Sequence, residues 1–157
     1  MNIALEKVEI GKKDILFRIL QYSLFEESIN DGNCMGQDAL FAYPWFEDYF
    51  TEIERKAYFI RDQEMGTLLG FAMINTCMKR NVGGHSIAEF MIIPKFRRNK
   101  IGTKAASMCF DMHRGNWEVS PSYGSRQAYL FWKSVVDEYT GGENTFEEGS
   151  FFFNSEY

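Results

Sequence analysis

The stretch Glu89-Phe-Met-Ile-Ile-Pro-Lys-Phe-Arg-Arg-Asn-Lys-Ile-Gly-Thr103 holds a carboxylate, four cations and a glycine within fifteen residues. An apolar run stops at Pro94, a basic turn follows, and a helical apolar pattern begins at Ile101. The first turn of a helix has unpaired N–H groups and a partial positive charge, so it suits an anion. With Arg97, Arg98 and Lys100 beside it in an otherwise acidic chain, this turn suits a phosphate ester; a solvated basic loop with a helix cap fits the same residues. Glu89 lies inside Ile87-Ala-Glu-Phe-Met-Ile-Ile93, and strand alternation puts Ile87, Glu89, Met91 and Ile93 on one face. Burial disfavours the charged carboxylate and raises its pKa, which is what a general base working near neutrality needs. A solvated sheet edge, or a pairing with Lys or Arg, is the other reading of Glu89.

The elements that must position these groups follow from periodicity and breakers. Ile3–Ile10 reads as a strand, and a helix follows from a cap at Asp14 to about Ile29, ended by Asn30-Asp31-Gly32-Asn33. Residues 34–55 are irregular and aromatic. Phe41, Tyr43, Trp45, Phe46, Tyr49 and Phe50 fit either a short helix on the core or a mobile wall over a substrate pocket. Ala57–Arg61, Thr67–Met78 and Ser86–Ile93 read as strands joined by turns at Asp62–Gly66 and Lys79–Gly84. A helix from about Ile101 to His113, a short strand Trp117–Ser120, a helix from Ser125 to about Tyr139 and a last strand Phe146–Phe153 complete the chain. The expected fold class is a mixed α/β domain over residues 1–157.

Arg97-Arg98-Asn99-Lys100-Ile101-Gly102-Thr103 resembles the R/Q-x-x-G-x-G/A motif of the GNAT N-acetyltransferase superfamily, and the surrounding order of elements is similar to that family's. The resemblance is close over residues 56–140 and topological before that. It implies a single, mainly antiparallel sheet with flanking helices and splayed central strands. It also implies acetyl-CoA as co-substrate, bound by Arg97, Arg98, Asn99, Lys100, Ile101, Gly102 and Thr103. The backbone of Met91, Ile92 and Ile93, whose N–H groups would be free beside the splay, would hold the acetyl oxygen and pantetheine. Ser125, Ala128 and Trp132 stand where the family's N-x-x-A-x-x-x-Y lies, so they are expected at the cofactor too. Glu89 matches the family's base, and the reaction implied is direct transfer to an amine acceptor. Three positions depart from the pattern: Lys100 replaces a glycine, Ser125 an asparagine and Trp132 the tyrosine that serves as acid. An indole N–H is no proton source at neutral pH, which leaves Tyr129, one turn earlier, or solvent to protonate the thiolate.

The chain has 157 residues and a net charge of −5, enough length for a real core and too little positive charge for a non-specific nucleic-acid binder. The acidic balance leans towards a small amine or cationic side chain as acceptor. No run is long and apolar enough to span a membrane, and the N-terminus lacks a signal-peptide pattern. Cys34, Cys77 and Cys109 form no CxxC pair and fit reduced thiols in a cytoplasm. The two histidines, His85 and His113, have no ligand-like neighbours in sequence, so no metal is expected. Phe151-Phe152-Phe153 must be buried somewhere, and a homodimer is one way to do it. A non-catalytic acyl-CoA sensor on the same fold, and an interaction protein without cofactor, are the rival functions.

Overall fold

The computed structural model describes residues 1–80 and 83–156. Strand β1 (Ile3–Lys7) leads through a 3-10 turn at Ile10–Lys12 into helix α1 (Lys13–Asp31). Lys12, not Asp14, occupies the N-cap, with no side-chain hydrogen bond; Asp14 sits in the first turn, where a negative charge meets the helix's positive end. Gly32 closes the helix at φ 74°, a left-handed conformation that glycine adopts without strain. Strands β2 (Lys56–Asp62), β3 (Leu68–Asn75) and β4 (His85–Ile92) form an antiparallel meander with β1. The expected turn at 79–84 falls partly outside the described residues. After β4 come helix α2 (Ile101–Met112), strand β5 (Asn116–Val119) and helix α3 (Arg126–Thr140).

The last strand expected from sequence is a hairpin, β6 (Thr145–Glu147) and β7 (Ser150–Asn154). Glu148 and Gly149, with φ of 51° and 81°, turn the chain between them, the left-handed pair that a two-residue hairpin requires. The seven strands lie in the order β1-β2-β3-β4-β5-β7-β6. Pairing β7 between β5 and β6 buries Phe151, Phe152 and Phe153 inside the chain itself. The phenylalanine run therefore needs no partner surface.

Among the described strands only β4 and β5 run parallel, and only two residue pairs join them, His85 with Trp117 and Ser86 with Glu118. Beyond Ser86 the strands part, leaving the rest of β4 with an open edge. One sheet face packs against α1 and the aromatic segment, around Leu16, Leu20, Phe59, Phe71 and Met91. The other packs against α2 and α3, around Phe110, Trp117, Val135 and Phe153.

Register slips between Met73 and Ile74, which pair with Glu89 and Ile87 and leave Ala88 as the extra residue of a β-bulge. The bulge breaks the alternation read from the sequence. Ile87 packs on the α2/α3 face, while Ala88, Met91 and Ile93 pack on the α1 face.

Under the sheet's second face, the ring nitrogen Nε2 of His113 and the Tyr58 hydroxyl share a hydrogen bond (2.9 Å), and the His85 ring lies 4.8 Å away. Burial, then the His85 and Lys56 charges, hold the His113 pKa down at about 4, against an ordinary 6.5. The unfolded chain protonates His113 at a higher pH than the fold does, so stability is lost as pH falls from about 6.5 towards 4. Melting curves across that window are expected to show His113→Gln falling less steeply than the parent.

Candidate active site

The parting of β4 from β5 opens a groove of about 830 Å³, walled by α1 on one side and α3 on the other. Both α2 and α3 point their N-termini into it. The first intrahelical bond of α2 is Lys104 N–H to the Lys100 carbonyl (3.0 Å), which leaves the amides of Ile101, Gly102 and Thr103 with no helical acceptor. In α3 the Ser125 hydroxyl accepts from the Ala128 amide (3.1 Å), so Ser125 caps the helix as its sequence position suggests. Met91, Ile92, Arg97, Arg98, Lys100, Gly102, Thr103, Ser125, Ala128 and Trp132 all line this groove. Asn99 and Ile101 line an adjoining hollow of about 690 Å³ that shares Lys100 and Thr103 with it.

The turn is built at some strain. Arg98 and Lys100 hold φ of 68° and 63°, left-handed conformations unfavourable by about 1–2 kcal/mol for a residue with a Cβ. Lys100 thus takes the backbone shape that a glycine would take, and its ammonium, largely exposed, lies 3.7 Å from Glu138. Arg97 is engaged differently. Its Nε donates to the Ile92 carbonyl (2.7 Å), and its two terminal nitrogens donate to both oxygens of Glu26 (3.1 and 2.8 Å). That fork ties the end of β4 to α1 across the groove. A Cβ on Gly102 would stand 2.9 Å from the Phe131 ring and 3.4 Å from Ile92, so a side chain there displaces the aromatic ring lining the groove.

The backbone donors alternate. Ile93 N–H donates to the Leu69 carbonyl (2.8 Å) and is not free, contrary to the sequence reading. The Ile92 carbonyl faces the open edge, where Arg97 reaches it, and antiparallel geometry points the Ile92 and Phe90 amides the same way. Met91 N–H, one residue out of step, faces β3.

Glu89 Oε1 is buried with no hydrogen-bond partner among the described residues. Burial, followed by the charge of Glu27 and a hydrogen bond with it, pushes the Glu89 pKa up to about 9. Glu27, on α1, is also raised, first by burial and then by Asp31, while hydrogen bonds with Glu89 and then with the Ser23 hydroxyl oppose that rise. Glu27 lines the groove and Glu89 does not. The aromatic segment packs Phe41, Phe46 and Tyr49 into the core, with Phe46 edge-on to Phe17 (5.3 Å). Its Tyr43 hydroxyl is pushed far above the ordinary tyrosine range, chiefly by burial and then by Tyr49. The segment is core, and none of residues 41–50 is among those lining the groove.

Trp132 is 7% exposed, edge-on to Phe90 (5.1 Å) and Phe131 (5.0 Å). Tyr129 lies elsewhere: its ring stacks on Phe151 (5.7 Å) and meets Phe146 (5.1 Å), outside the groove lining. Residue 129 is about 60° around the helix from residue 132, and the hairpin covers that side. Sequence reasoning missed Glu27, Phe131 and the Glu26–Arg97 fork. One signal existed for Glu27: Leu16, Ile19, Leu20 and Ser23 are buried, and position 27 continues their stripe. Among the described residues no group of His, Cys, Asp or Glu is arranged to hold a metal ion.

Comparison with known proteins agrees with this geometry. The model of the acetyltransferase (GNAT) family matches residues 22–129. No curated protein sequence matches the chain. An acetyltransferase from Thermus thermophilus shares its fold at a TM-score of 0.63, with 13% identity over 97% of this chain and 94% of that one. An aminoglycoside acetyltransferase in complex with coenzyme A aligns at 0.66, with 9% identity over 98% and 95%. A putative N-acetyl transferase from E. coli bound to coenzyme A aligns at 0.58, with 13% identity over 98% and 99%.

Proposed function

The chain belongs to the GNAT acetyltransferase family, and on that premise we propose that it moves the acetyl group of acetyl-CoA directly onto the nitrogen of an amine. The observation that carries this reading is one groove with two helix N-termini at one end and the half-buried Glu27 carboxyl on its α1 wall. The amides of Ile101, Gly102 and Thr103, with Arg98 and Lys100, form the pyrophosphate seat. The open-edge Ile92 amide donates to the thioester oxygen as negative charge develops on it. An alkylammonium is no nucleophile until it loses a proton, and the carboxyl pair of Glu89 and Glu27, with its raised pKa, takes that proton. The amine nitrogen then bonds the acetyl carbon, the C–S bond breaks, and the thiolate leaves.

No tyrosine of α3 reaches the groove to protonate the sulfur, since Trp132 has only an indole N–H and Tyr129 faces the hairpin. Solvent is the proton source in this account. Trp132 serves by packing beside the sulfur-bearing arm and by excluding water. Trp132→Phe is expected to keep most turnover and Trp132→Tyr not to exceed the parent. Trp132→Ala removes a buried indole, and such losses run to about 3–5 kcal/mol, so its melting temperature and CoA affinity should both fall. The acceptor is a cationic amine, a reading supported by the carboxyls of Glu26 and Glu27 in the groove's lining. The free thiols of Cys34, Cys77 and Cys109 support a reducing, cytoplasmic compartment.

Thiol release from acetyl-CoA tests the reading. A panel of mono- and polyamines is expected to raise release well above the rate with acetyl-CoA alone. CoA binding by thermal shift, with release unchanged by every amine, would instead support a sensor.

A further inference from the structure

We propose that Arg97 is a positioning residue and not a phosphate ligand. Its fork to Glu26 holds the open end of β4, and with it the Ile92 amide, in the geometry that acetyl transfer uses; this rests on the acetyl-transfer reading above. Arg97 begins the basic turn, and its place in the sequence suggests a cation for the pyrophosphate. Its donors are committed elsewhere. The Arg97 backbone N–H donates to the Pro94 carbonyl (3.2 Å). Its Nε donates to the Ile92 carbonyl (2.7 Å), and Nη1 and Nη2 donate to Oε2 and Oε1 of Glu26 (3.1 and 2.8 Å). A guanidinium that meets a carboxylate through both terminal nitrogens is fixed in orientation as a point charge is not. Lys100, by contrast, is largely exposed and lies 3.7 Å from Glu138, so the turn keeps a cation for phosphate.

Three elements meet at this one side chain, and Glu26, Ile92 and Arg97 all line the groove. Glu26 belongs to α1, Ile92 ends β4, and Arg97 enters the turn in which Arg98 and Lys100 hold φ of 68° and 63°. Such backbone conformations persist only where the surroundings fix them. Among the described residues β4 pairs with β5 only at His85 and Ser86, so Ile92 lacks the ladder bonds that would fix it on that side. Arg97 supplies one there from a side chain. The Ile92 carbonyl is thereby occupied, and the Ile92 amide on the same edge is left as the donor to the thioester oxygen. Such a donor accelerates transfer only as far as it is aimed before charge develops. Looseness at Ile92 therefore costs rate at saturation and not cofactor binding. The fork also matches one positive charge with one negative, so it adds no net attraction for a pyrophosphate.

Turnover at saturating acetyl-CoA with a cationic amine, set against CoA affinity by calorimetry, tests the assignment in two variants. Arg97→Lys keeps the charge and loses the fork. Glu26→Gln removes a negative charge from a groove that takes a polyanion, so electrostatics alone would tighten CoA binding and leave turnover intact. Each variant is expected to lower saturated turnover about 10-fold, less than outright removal of an oxyanion donor costs, with CoA affinity not weakened. The double variant should fall no further than Arg97→Lys alone, because both changes break one device. Parental turnover in both single variants, or losses that add in the double variant, would overturn the proposal. So would an Arg97→Lys protein that binds CoA more weakly at unchanged saturated turnover, the mark of a phosphate ligand. A readout without activity is the exchange of the Arg97 Nε–H with water, followed by NMR in the full chain. Slow exchange is expected in the parent, with and without CoA, and fast exchange in Glu26→Gln. Fast exchange in the CoA-bound parent would mean that the cofactor draws Arg97 away from Ile92, and the proposal would fall while the transfer reading stands. If the parent acetylates no amine, the transfer reading falls, and the exchange measurement still decides whether Arg97 holds Ile92.

Discussion

Gly102→Asp is expected to fold and to lose CoA affinity about 100-fold or more, equivalent to about 2.7 kcal/mol. Two effects act together. A carboxylate in the first turn of α2 places negative charge where the helix end and Lys100 favour a pyrophosphate. The new Cβ also meets the Phe131 ring at 2.9 Å and pushes it into the groove. Gly102→Ala separates the two, since it carries the steric part alone. Its affinity should fall less, and its loss should be insensitive to salt. The additional loss in Gly102→Asp should shrink as ionic strength rises and screening sets in. Calorimetric titration of folded Gly102→Asp that matches the parent would mean that the turn does not seat the phosphates.

Glu89→Gln is expected to lower turnover by about 10²–10⁴-fold at neutral pH while leaving CoA affinity as it was. The amide has nearly the shape of the carboxyl but does not titrate, so the carboxyl pair with Glu27 is lost. The deficit should narrow at high pH, where more of the acceptor is already free amine. A second readout does not depend on activity. In the fold the Glu89 pKa is raised to about 9 against an ordinary 4.5, so the folded state binds a proton that the unfolded chain releases. The parent's stability from this group is fully present below about pH 4.5 and is lost as pH rises towards 9. Glu89→Gln has no such loss, so its melting temperature should gain on the parent's steadily across that range. A constant difference between the two at every pH would contradict a buried, protonated Glu89.

How much of this was legible in the sequence depends on how local each feature is. The strand ending at Pro94, the basic turn and the start of α2 at Ile101 follow one another within a few residues, so pattern and breakers placed them directly. Ser125 was readable as a cap for the same reason. Features set by pairing were not. The bulge at Ala88 comes from how β4 lies against β3, and no local signal turns Ile87 to the other face. The β6–β7 hairpin was read as one strand because Phe146 and Phe151-Phe152-Phe153 flank Glu148-Gly149 with apolar residues, and the two-residue turn lies inside that run. Glu27 is remote in sequence from Glu89, and only the packing of α1 on the sheet joins them. Tyr129 was placed by helical spacing alone, which cannot say which neighbour covers each side. Here β6 and β7 cover it.

The central claim is acetyl transfer to an amine at this groove, and following a labelled acetyl group tests it most directly. The protein is incubated with acetyl-labelled CoA and a cationic amine, and label is then measured on the amine and on the protein. The account predicts label on the amine nitrogen, none retained on the protein, and both Glu89→Gln and Gly102→Asp strongly impaired. Label remaining on CoA with every amine offered, while the folded protein binds CoA normally, would contradict it.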